Sequence, residues 1–441
     1  MNGISAFFAL LLMLTLVAQA ALPSHRLLIV LSGAALSCLG AALSGLGGLE
    51  RVFAGVPWNV LVILVALGLF TRRLADTRLF GLASLALVRL ARARPLALLL
   101  LATLCTYAVS MVLNNLTALL VILPVLLAVF ALAGVSQRFL VWALGLILVA
   151  CNLGGAATPI GDFPAVLLLG RGAMEFADYL RQAFPATLAA LGLLVLGVLL
   201  LRPAREVPAS PLSRRLTLAT LARLYRSTRL DWGLLGPCLL AMLGMMAAWL
   251  LLPPAWGIDP ALVAWLGGGL ALALRPGEGE RTLKRSIDTE ALMFLLALFV
   301  MVGVVRETGL FTRLAAGLLE VPLPPQGQLV LFLVAAALLT GLFSAGPSMA
   351  ALLEVAEVLA RQFPPDAVYV GLALAVCAGS SLFLTAATAG PLMQSLVERA
   401  ALRGVNGSRL QFGFREYLGV GLLGFCVTLA VAIVRTLLAV R

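Results

Sequence analysis

The residues most suited to chemistry lie in a stretch rich in glycine and proline, in the middle of a long apolar segment. Residues 152–162 read Asn-Leu-Gly-Gly-Ala-Ala-Thr-Pro-Ile-Gly-Asp. Glycine adopts backbone conformations that a helix excludes, and proline lacks the amide hydrogen that a helix uses. The sequence therefore predicts a helix break, with free carbonyls beside the side chains of Asn152, Thr158 and Asp162. Such oxygens can replace the hydration shell of a monovalent cation.

Three other apolar segments carry polar or helix-breaking residues near their middle. They are Asn114-Asn115-Leu116-Thr117, Ser344-Ala345-Gly346-Pro347-Ser348 and the stretch 379–391. Backbone that leaves the helix at membrane depth occurs only where it is buried in protein or lines a cavity. We predict one transport site whose candidate ligands are Asn114, Asn115, Thr117, Asn152, Gly154, Gly155, Thr158, Gly161, Asp162, Ser344, Gly346, Ser348, Glu354, Ser380, Ser381, Thr385 and Thr388, with sodium expected at Asn115, Asn152 and Asp162.

The acidic members of this set have alternative interpretations. Asp162 is either the charged ligand of a cation or the cap of the half-helix that follows it, a common role for aspartate. In the first case sodium and a proton would compete for one carboxylate. Glu354 is the next candidate, because an ionisable residue inside the membrane is a functional candidate by default. Glu357 is instead expected to pair with Arg361, one helical turn further on.

The elements that position these residues are membrane spans. The chain has 441 residues, of which 62% are hydrophobic and only 11% are charged, about half the charge of a soluble domain. Its apolar runs of about 20 residues match a bilayer core of ~30 Å. This composition excludes a soluble enzyme, a secreted disulfide scaffold and a disordered chain, and predicts an all-α polytopic membrane protein. Full spans are expected near 4–22, 26–46, 56–75, 139–170, 180–201, 231–252, 260–275, 287–305, 367–398 and 415–438.

Two apolar segments, 95–132 and 327–362, are too long for one span and too short for two spans with a loop. We expect both to be re-entrant hairpins. Most of the 31 Lys and Arg residues then lie on one side, which is predicted to be cytoplasmic. Both termini are thus expected outside a bacterial-type inner membrane. The basic excess follows this rule for membrane loops, so nucleic acid is not an expected partner.

An internal repeat divides the chain into two halves. A shift of 231 residues lays Asp76-Thr77-Arg78-Leu79-Phe80 on Glu307-Thr308-Gly309-Leu310-Phe311 and the first hairpin tip on the second. The predicted units are a first half at 1–201, a basic cytoplasmic linker at 202–230 and a second half at 231–441. Each half has five spans, one hairpin and one broken helix, at 139–170 and 367–398. An odd number of spans predicts halves of opposite orientation, the inverted repeat of secondary transporters.

The stretch 152–162 resembles the ion transporter superfamily, which includes arsenite permeases, citrate transporters, divalent-anion symporters and sodium/proton antiporters. Asn114-Asn115-Leu116-Thr117 is similar to its first hairpin tip, and Glu307-Thr308-Gly309-Leu310-Phe311 to a segment repeated in it. The resemblance implies an elevator-type transporter in which hairpin tips and broken helices enclose the site. Phe163-Pro164-Ala165 departs from the Pro-Pro-Asn of many anion-carrying relatives, and the second tip lacks the usual asparagine.

We therefore predict a transporter, not an enzyme, with the bilayer and a small molecule or ion as partners and a homodimer as one possible assembly. The leading hypothesis is a carrier of a small anion, such as a carboxylate or oxyanion, coupled to sodium or protons, with no other cofactor. A sodium/proton antiporter is the alternative, and a channel or a non-transporting scaffold is a third. The chain contains no Gly-x4-Gly-Lys-Ser/Thr motif, so the sequence offers no phosphate-binding loop for ATP.

The predicted orientation can be tested by labelling single cysteines in a cysteine-free background. A cysteine at Ser213, in the linker, is expected to be shielded from an impermeant thiol reagent in intact cells. A cysteine at Gln326, before the second hairpin, is expected to react. Permeabilised cells provide the control, because both positions are expected to react there. The reverse pattern in intact cells would invert the topology.

Overall fold

The helices follow the apolar runs of the sequence. The computed structural model describes residues 3–46, 49–91, 95–133, 135–201, 219, 229–253, 256–387, 389–404 and 407–440. Most of the predicted linker at 202–230, and Thr388 of the predicted site, lie outside the described residues. The first half contains α1 (Gly3–Ala21), α2 (Arg26–Leu43), α3 (Leu49–Ala54), α4 (Trp58–Asp76), α5 (Leu79–Leu90), α6 (Pro95–Ser110), α7 (Asn115–Ala133), α8 (Gln137–Ala157), α9 (Phe163–Gly170) and α10 (Phe176–Leu201).

The second half repeats this order of helices. It contains α11 (Trp232–Leu251), α12 (Pro260–Ala273), α13 (Pro276–Ser286), α14 (Thr289–Glu307), α15 (Leu310–Leu319), α16 (Pro325–Phe343), α17 (Ala345–Leu359), α18 (Pro365–Leu382), α19 (Gly390–Ala400) and α20 (Phe414–Ala439). Each helix of the first half thus has a counterpart ten helices later. The turns correspond as well, because Arg78 before α5 and Gly309 before α15 both have positive φ, 64° and 70°.

Ten helices within the described residues are long and apolar enough to cross a membrane, so the chain is a multi-pass membrane protein. They are α1, α2, α4, α8, α10, α11, α14, α16, α18 and α20. All but α16 fall on predicted full spans. The predicted span 260–275 is the shorter helix α12, of 14 residues, and α16 is the first arm of the second predicted hairpin.

The sequence did not predict the short helices α3, α5, α13 and α15, because a search for long apolar runs finds only spans. α13 is strongly polar, with Glu278 in its first turn and Lys284 and Arg285 in its last turn. Those charges complement the helix dipole. α13 packs against α4, and Glu278 pairs with the fully buried Arg73 at 3.2 Å. The short helices therefore contribute packing and ion pairs at the ends of the spans.

Both predicted hairpins are pairs of packed helices. α6 and α7 are separated by residues 111–114, whereas Ser344 alone separates α16 from α17. Ser344 has a φ of 72°, in a region that side chains other than glycine rarely adopt. The re-entrant course of the two hairpins, relative to a bilayer, stays a prediction.

Two interrupted helices form the centre of the molecule. Where the sequence predicts a first broken helix, α8 ends at Ala157 and α9 begins at Phe163. In the second, α18 ends at Leu382 and α19 begins at Gly390. α8 and α18 contact each other. Within the most apolar 18 residues of each helix, 94% and 89% of the residues are buried, far more than in the other helices of membrane length. Protein rather than lipid therefore surrounds most of both helices.

Glycines allow the hairpins to approach these central helices closely. A Cβ atom at Gly154 of α8 would overlap the carbonyl of Tyr107 on α6. A Cβ atom at Gly379 of α18 would overlap the carbonyl of Ala337 on α16. Small residues commonly mediate such close packing between membrane helices. The two contacts are equivalent in the two halves.

A glycine pair on α12 tests the packing between the halves. A Cβ atom at Gly268 would lie 2.9 Å from the carbonyl oxygen of Ala66 on α4, whereas one at Gly269 meets nothing within 4 Å. We expect Gly268→Ala to lower the free energy of unfolding by about 1–3 kcal/mol, because overpacking must separate the two helices. Gly269→Ala is the matched control and is expected to be neutral or slightly stabilising. Equal unfolding of both purified variants in denaturant would contradict this packing.

Candidate functional site

The centre of the site is a contact between the tip of the first hairpin and the first helix break. Asn115, the first residue of α7, donates from Nδ2 to Asp162 Oδ2 at 3.0 Å. The backbone amide of Phe163 donates to the other carboxylate oxygen, Oδ1, at 2.9 Å. Both donors to Asp162 are therefore neutral amides. A carboxylate that protein surrounds without a positive partner is costly, so this position favours a bound cation or a proton.

Of the two roles that the sequence left open for Asp162, the structure shows the helix cap, and the role of cation ligand stays a prediction. Its Oδ1 caps α9, which begins at Phe163, while its Oδ2 faces Asn115. The cap fixes the side chain at the helix N-terminus, where a negative charge is favourable. The remaining acceptor capacity of the carboxylate is available to a ligand between the break and the hairpin tip.

Glycines make room for this contact. A Cβ atom at Gly155 would lie 2.7 Å from Asn115 Oδ1 and 2.8 Å from the Cβ atom of Asp162. One at Gly161 would lie 2.6 Å from the carbonyl oxygen of Ser110. Any side chain at either position would therefore displace the hairpin tip or the carboxylate. The glycines of the motif serve close approach of the backbone in addition to the break itself.

Hydroxyl groups tie the end of α6 to the broken helix. Ser110 Oγ lies within hydrogen-bond distance of Asn115 Oδ1 and of the Cys151 carbonyl, the latter at 2.8 Å. Thr158 donates from Oγ1 to the carbonyl of Met111. Ser110 was missed by sequence reasoning, since it precedes the polar tip and lies in an apolar run. Its place four residues before Asn114 was the available signal.

Asn152 faces away from Asp162. Its Nδ2 donates to Ser381 Oγ on α18 at 3.2 Å, so it joins the two central helices of the two halves. Ser381 Oγ in turn lies 3.0 Å from the Cys377 carbonyl, and Ser380 Oγ donates to the Val376 carbonyl at 2.8 Å. The structure thus brings Asn115 and Asp162 together and places Asn152 in a separate contact between the halves.

The tip of the second hairpin approaches the first break. A Cβ atom at Gly346 would lie 3.9 Å from the ring of Phe163, the residue after Asp162. Ser348, in the first turns of α17, is 5% exposed, and its hydroxyl has no hydrogen-bond partner among the described residues. A buried hydroxyl without a partner is unusual, and those of Thr106, Thr428 and Thr436 share this property, but Ser348 alone of the four lies at a hairpin tip.

The remaining predicted residues lie elsewhere or act locally. Asn114 is exposed, and its Oδ1 accepts from the amides of Leu116 and Thr117, at 2.7 and 3.4 Å, so it caps α7. Thr117 is half-buried in α7 and Thr385 is exposed in the second break. None of these side chains forms a hydrogen bond with Asp162 in the described part of the chain.

Glu354 belongs to an ion-pair cluster outside this contact. It lies 2.6 Å from Arg171, after α9, and 3.9 Å from Arg306 on α14, and only 3% of its side chain is exposed. Glu357 also pairs with Arg171, at 3.2 Å, rather than with Arg361 as expected from the sequence. Two guanidinium groups compensate the charge of Glu354, in contrast to Asp162. Arg171 was missed because its partners are more than 180 residues away in the chain.

A polar site enclosed among apolar, membrane-length helices defines a multi-pass membrane transporter, and the comparisons with known proteins identify the kind. The citrate transporter family matches residues 5–376 and 247–440. The chain belongs to this family. The predicted resemblance to the ion transporter superfamily is thereby confirmed, and the protein is a transporter rather than an enzyme.

Individual relatives agree over most of their length. An uncharacterised transporter of Mycobacterium tuberculosis is 31% identical over 385 residues, which cover 83% of this chain and 86% of that protein. The magnetosome protein MamN of Paramagnetospirillum magneticum is 27% identical over 427 residues, with 93% and 94% covered. The crystal structure of the Alcanivorax borkumensis YdaH transporter, noted for an unusual topology, aligns with a TM-score of 0.57 at 17% identity, over 98% of this chain and 97% of that one. This last similarity supports the fold.

The ion-pair cluster gives a testable prediction about Glu354. In a double-mutant cycle of Glu354→Gln and Arg171→Gln, we expect a coupling energy of about 1–3 kcal/mol in unfolding, because the pair is buried. The exposed pair of Asp178 and Arg181 is the matched control and is expected to show no measurable coupling. Additive effects of the two substitutions would contradict an ion pair between Glu354 and Arg171. Glu354 would then again be a candidate residue of the transport site.

Proposed function

We propose that the protein is a secondary transporter that couples the movement of a sodium ion or proton to that of a small anion, such as a carboxylate or oxyanion. The observation that carries this proposal is the contact between Asn115 and Asp162. It joins a hairpin tip to a helix break through a carboxylate whose hydrogen-bond donors are neutral amides. A cation bound there would compensate the charge and hold the tip against the break.

The second hairpin tip supports a neighbouring site for the anion. The N-terminus of α17, a helix of 15 residues, carries partial positive charge and unpaired backbone amides. The unpartnered hydroxyl of Ser348 lies in the same turns, and Gly346 approaches Phe163 beside Asp162. An anion at this tip and a cation at Asp162 would attract each other at short range. Each would then strengthen the binding of the other, which is the requirement for coupled transport.

The packing of the helices supports the inverted repeat. If each helix is replaced by its counterpart in the other half, the contact of α4 with α12 becomes the contact of α14 with α2. The same exchange turns the contact of α8 with α20 into that of α18 with α10, and the contact of α7 with α19 into that of α17 with α9. All six contacts are present. Contacts that map onto one another under exchange of the halves are what a pseudo-two-fold axis produces.

A departure from this symmetry supports the elevator motion. α4 packs against α9, and α14 packs against α17. Among the described residues, neither the equivalent contact of α14 with α19 nor that of α4 with α7 reaches a comparable extent. In the predicted topology, α9 and α17 face the outer side. The site would then be closed toward the outside in this structure. Replacing these two contacts by those of α14 with α19 and of α4 with α7 would close it toward the inside instead.

The alternative function is sodium/proton antiport. The carboxylate of Asp162, whose hydrogen-bond donors are neutral amides, favours it, because sodium and a proton would compete for the same oxygen atoms. In this case no anion crosses the membrane, and the second hairpin tip, which contains Ser348, contributes only to the stability of the fold. Transport of an anion against its own gradient distinguishes the two.

Uptake by proteoliposomes tests the proposal. Imposed sodium and proton gradients should drive saturable accumulation of at least one labelled small anion, with citrate, other carboxylates and oxyanions as the panel. Cation exchange without anion uptake would establish the antiporter instead. A flux that does not saturate would establish a channel, and the absence of all flux would contradict transport by this chain alone.

Asn115 provides the matched test of the cation site. We expect Asn115→Ala to raise the half-saturating concentration of the coupling cation about tenfold or more, because a hydrogen bond to the half-buried carboxylate of Asp162 is lost. Asn114→Ser, at the adjacent residue, keeps a side chain that can cap α7 and is expected to retain the wild-type value. Asp162→Asn, which keeps capping ability but removes the charge, is expected to abolish cation dependence and flatten the pH profile. Wild-type behaviour of Asp162→Asn would reduce Asp162 to a helix cap.

A further inference from the structure

Two buried tyrosines occupy equivalent places beside the two broken helices. Tyr179 is the fourth residue of α10 and Tyr417 the fourth residue of α20, the helices that follow each break. Their side chains are 1% and 0% exposed. Tyr179 donates from its hydroxyl to the carbonyl of Ala156 at 2.8 Å, and Tyr417 donates to the carbonyl of Ser381 at 2.7 Å.

The two acceptors are also equivalent. Ala156 is the residue before last of α8, and Ser381 is the residue before last of α18. The last four carbonyls of a helix have no partner within the helix and need another donor. At the end of each broken helix, the same one of these carbonyls is therefore taken by a tyrosine. The same hydrogen bond, between equivalent residues, thus occurs in both halves, which argues against a chance contact.

Each acceptor lies next to a residue of the candidate site. Ala156 follows Gly155, which packs against Asn115 and Asp162. Ser381 carries the hydroxyl that receives the hydrogen bond from Asn152. A change in the direction of either carbonyl would rotate the adjacent peptide and move these groups. Among the described residues, neither tyrosine hydroxyl forms a hydrogen bond with Asp162 or Asn115.

We propose that Tyr179 and Tyr417 are positioning residues that determine which carbonyls at the two helix breaks remain free for ligands. By holding the Ala156 carbonyl, Tyr179 removes it from the possible ligands and fixes the peptide beside Gly155. Tyr417 does the same beside Ser381. This inference rests on the proposed function, since it assigns the residues that shape the transport site. Loss of one hydroxyl should make the break looser and the ligand set less selective.

Two further tyrosines provide controls. Tyr369 on α18 is 8% exposed, and no hydrogen bond of its hydroxyl is present among the described residues. The hydroxyl of Tyr107 shares a hydrogen bond of 2.9 Å with Thr187 and does not reach a carbonyl at a break. Replacing either by phenylalanine removes one tyrosine hydroxyl without changing these carbonyls, and Tyr107→Phe also removes a buried hydrogen bond. A general effect of losing such a hydroxyl would appear in the controls too.

The first measurement is of transport. In Tyr179→Phe we expect the half-saturating concentration of the coupling cation to rise about three- to tenfold, the effect of losing one hydrogen bond, with the maximal rate within about twofold of wild type. In Tyr417→Phe we expect a comparable rise for the anion or the cation. Tyr369→Phe and Tyr107→Phe are expected to keep both constants. Unchanged constants in Tyr179→Phe and Tyr417→Phe, or equal changes in the controls, would overturn the assignment.

The second measurement does not depend on transport. Amide hydrogen exchange of the purified, monodisperse variants should become faster at 158–162 in Tyr179→Phe and at 383–387 in Tyr417→Phe, while 140–150 on α8 stays unchanged. Local exchange without any cation-dependent transport in wild type would preserve the tyrosine contacts and refute the proposed function. Wild-type transport with no local change in exchange or affinity in the variants would refute the role of the tyrosines alone.

Discussion

The structure depends on backbone groups that leave a helix where lipid cannot solvate them. Between α8 and α9, and again between α18 and α19, carbonyls and amides lose their helical partners. An unsatisfied backbone group in a bilayer costs several kcal/mol, so the protein must supply partners. It does so with Asp162 on the amide of Phe163 and with tyrosine hydroxyls on the carbonyls of Ala156 and Ser381. The break therefore explains why polar residues collect at the centre of an apolar chain.

Burial of the breaks in turn determines the surroundings. α8 and α18 are covered almost completely, which requires the hairpins and the following helices to pack around them. Because Gly154 and Gly379 have no side chains, backbone carbonyls of the two hairpins can lie directly against α8 and α18. Charges that must also be accommodated, such as Glu354, are paired with arginines. Asp162, by contrast, has no ion pair among the described residues, and a bound cation would compensate its charge.

Apolar run length and the position of glycine and proline predict most of the fold. The spans agree with the sequence because about 20 apolar residues have few stable alternatives to a membrane helix. The sequence indicates two halves with the same order of helices because Asp76–Phe80 and Glu307–Phe311 align. In the structure each of these segments contains a turn between two helices. The short helices were not predictable in this way, since α13 is polar and its stability comes from contacts with α4. α16 ends at Phe343, directly before the predicted tip at Ser344, and its length alone would also fit a full span.

The site was predictable in composition but not in pairing. The motif at 152–162 predicts an amide, a hydroxyl and a carboxylate near one another, yet Asn152 faces α18 while Asp162 faces the hairpin. Asn114 and Asn115 are neighbours with different roles, because successive residues at a helix start point in different directions. Tyr179, Tyr417 and Arg171 gave no local signal, since each acts on a residue distant in the chain. Such pairings are properties of the packing of the helices, which a single sequence does not contain.

The central claim is that Asp162 binds the coupling cation, and counting cations on the purified protein tests it most directly. Sodium bound at equilibrium and protons released between acid and alkaline pH would be measured for wild type and Asp162→Asn. We expect wild type to bind one proton more than the variant in acid and to release it in alkali, where sodium takes its place if sodium is the coupling ion. Equal counts of sodium and protons in both proteins would contradict this claim.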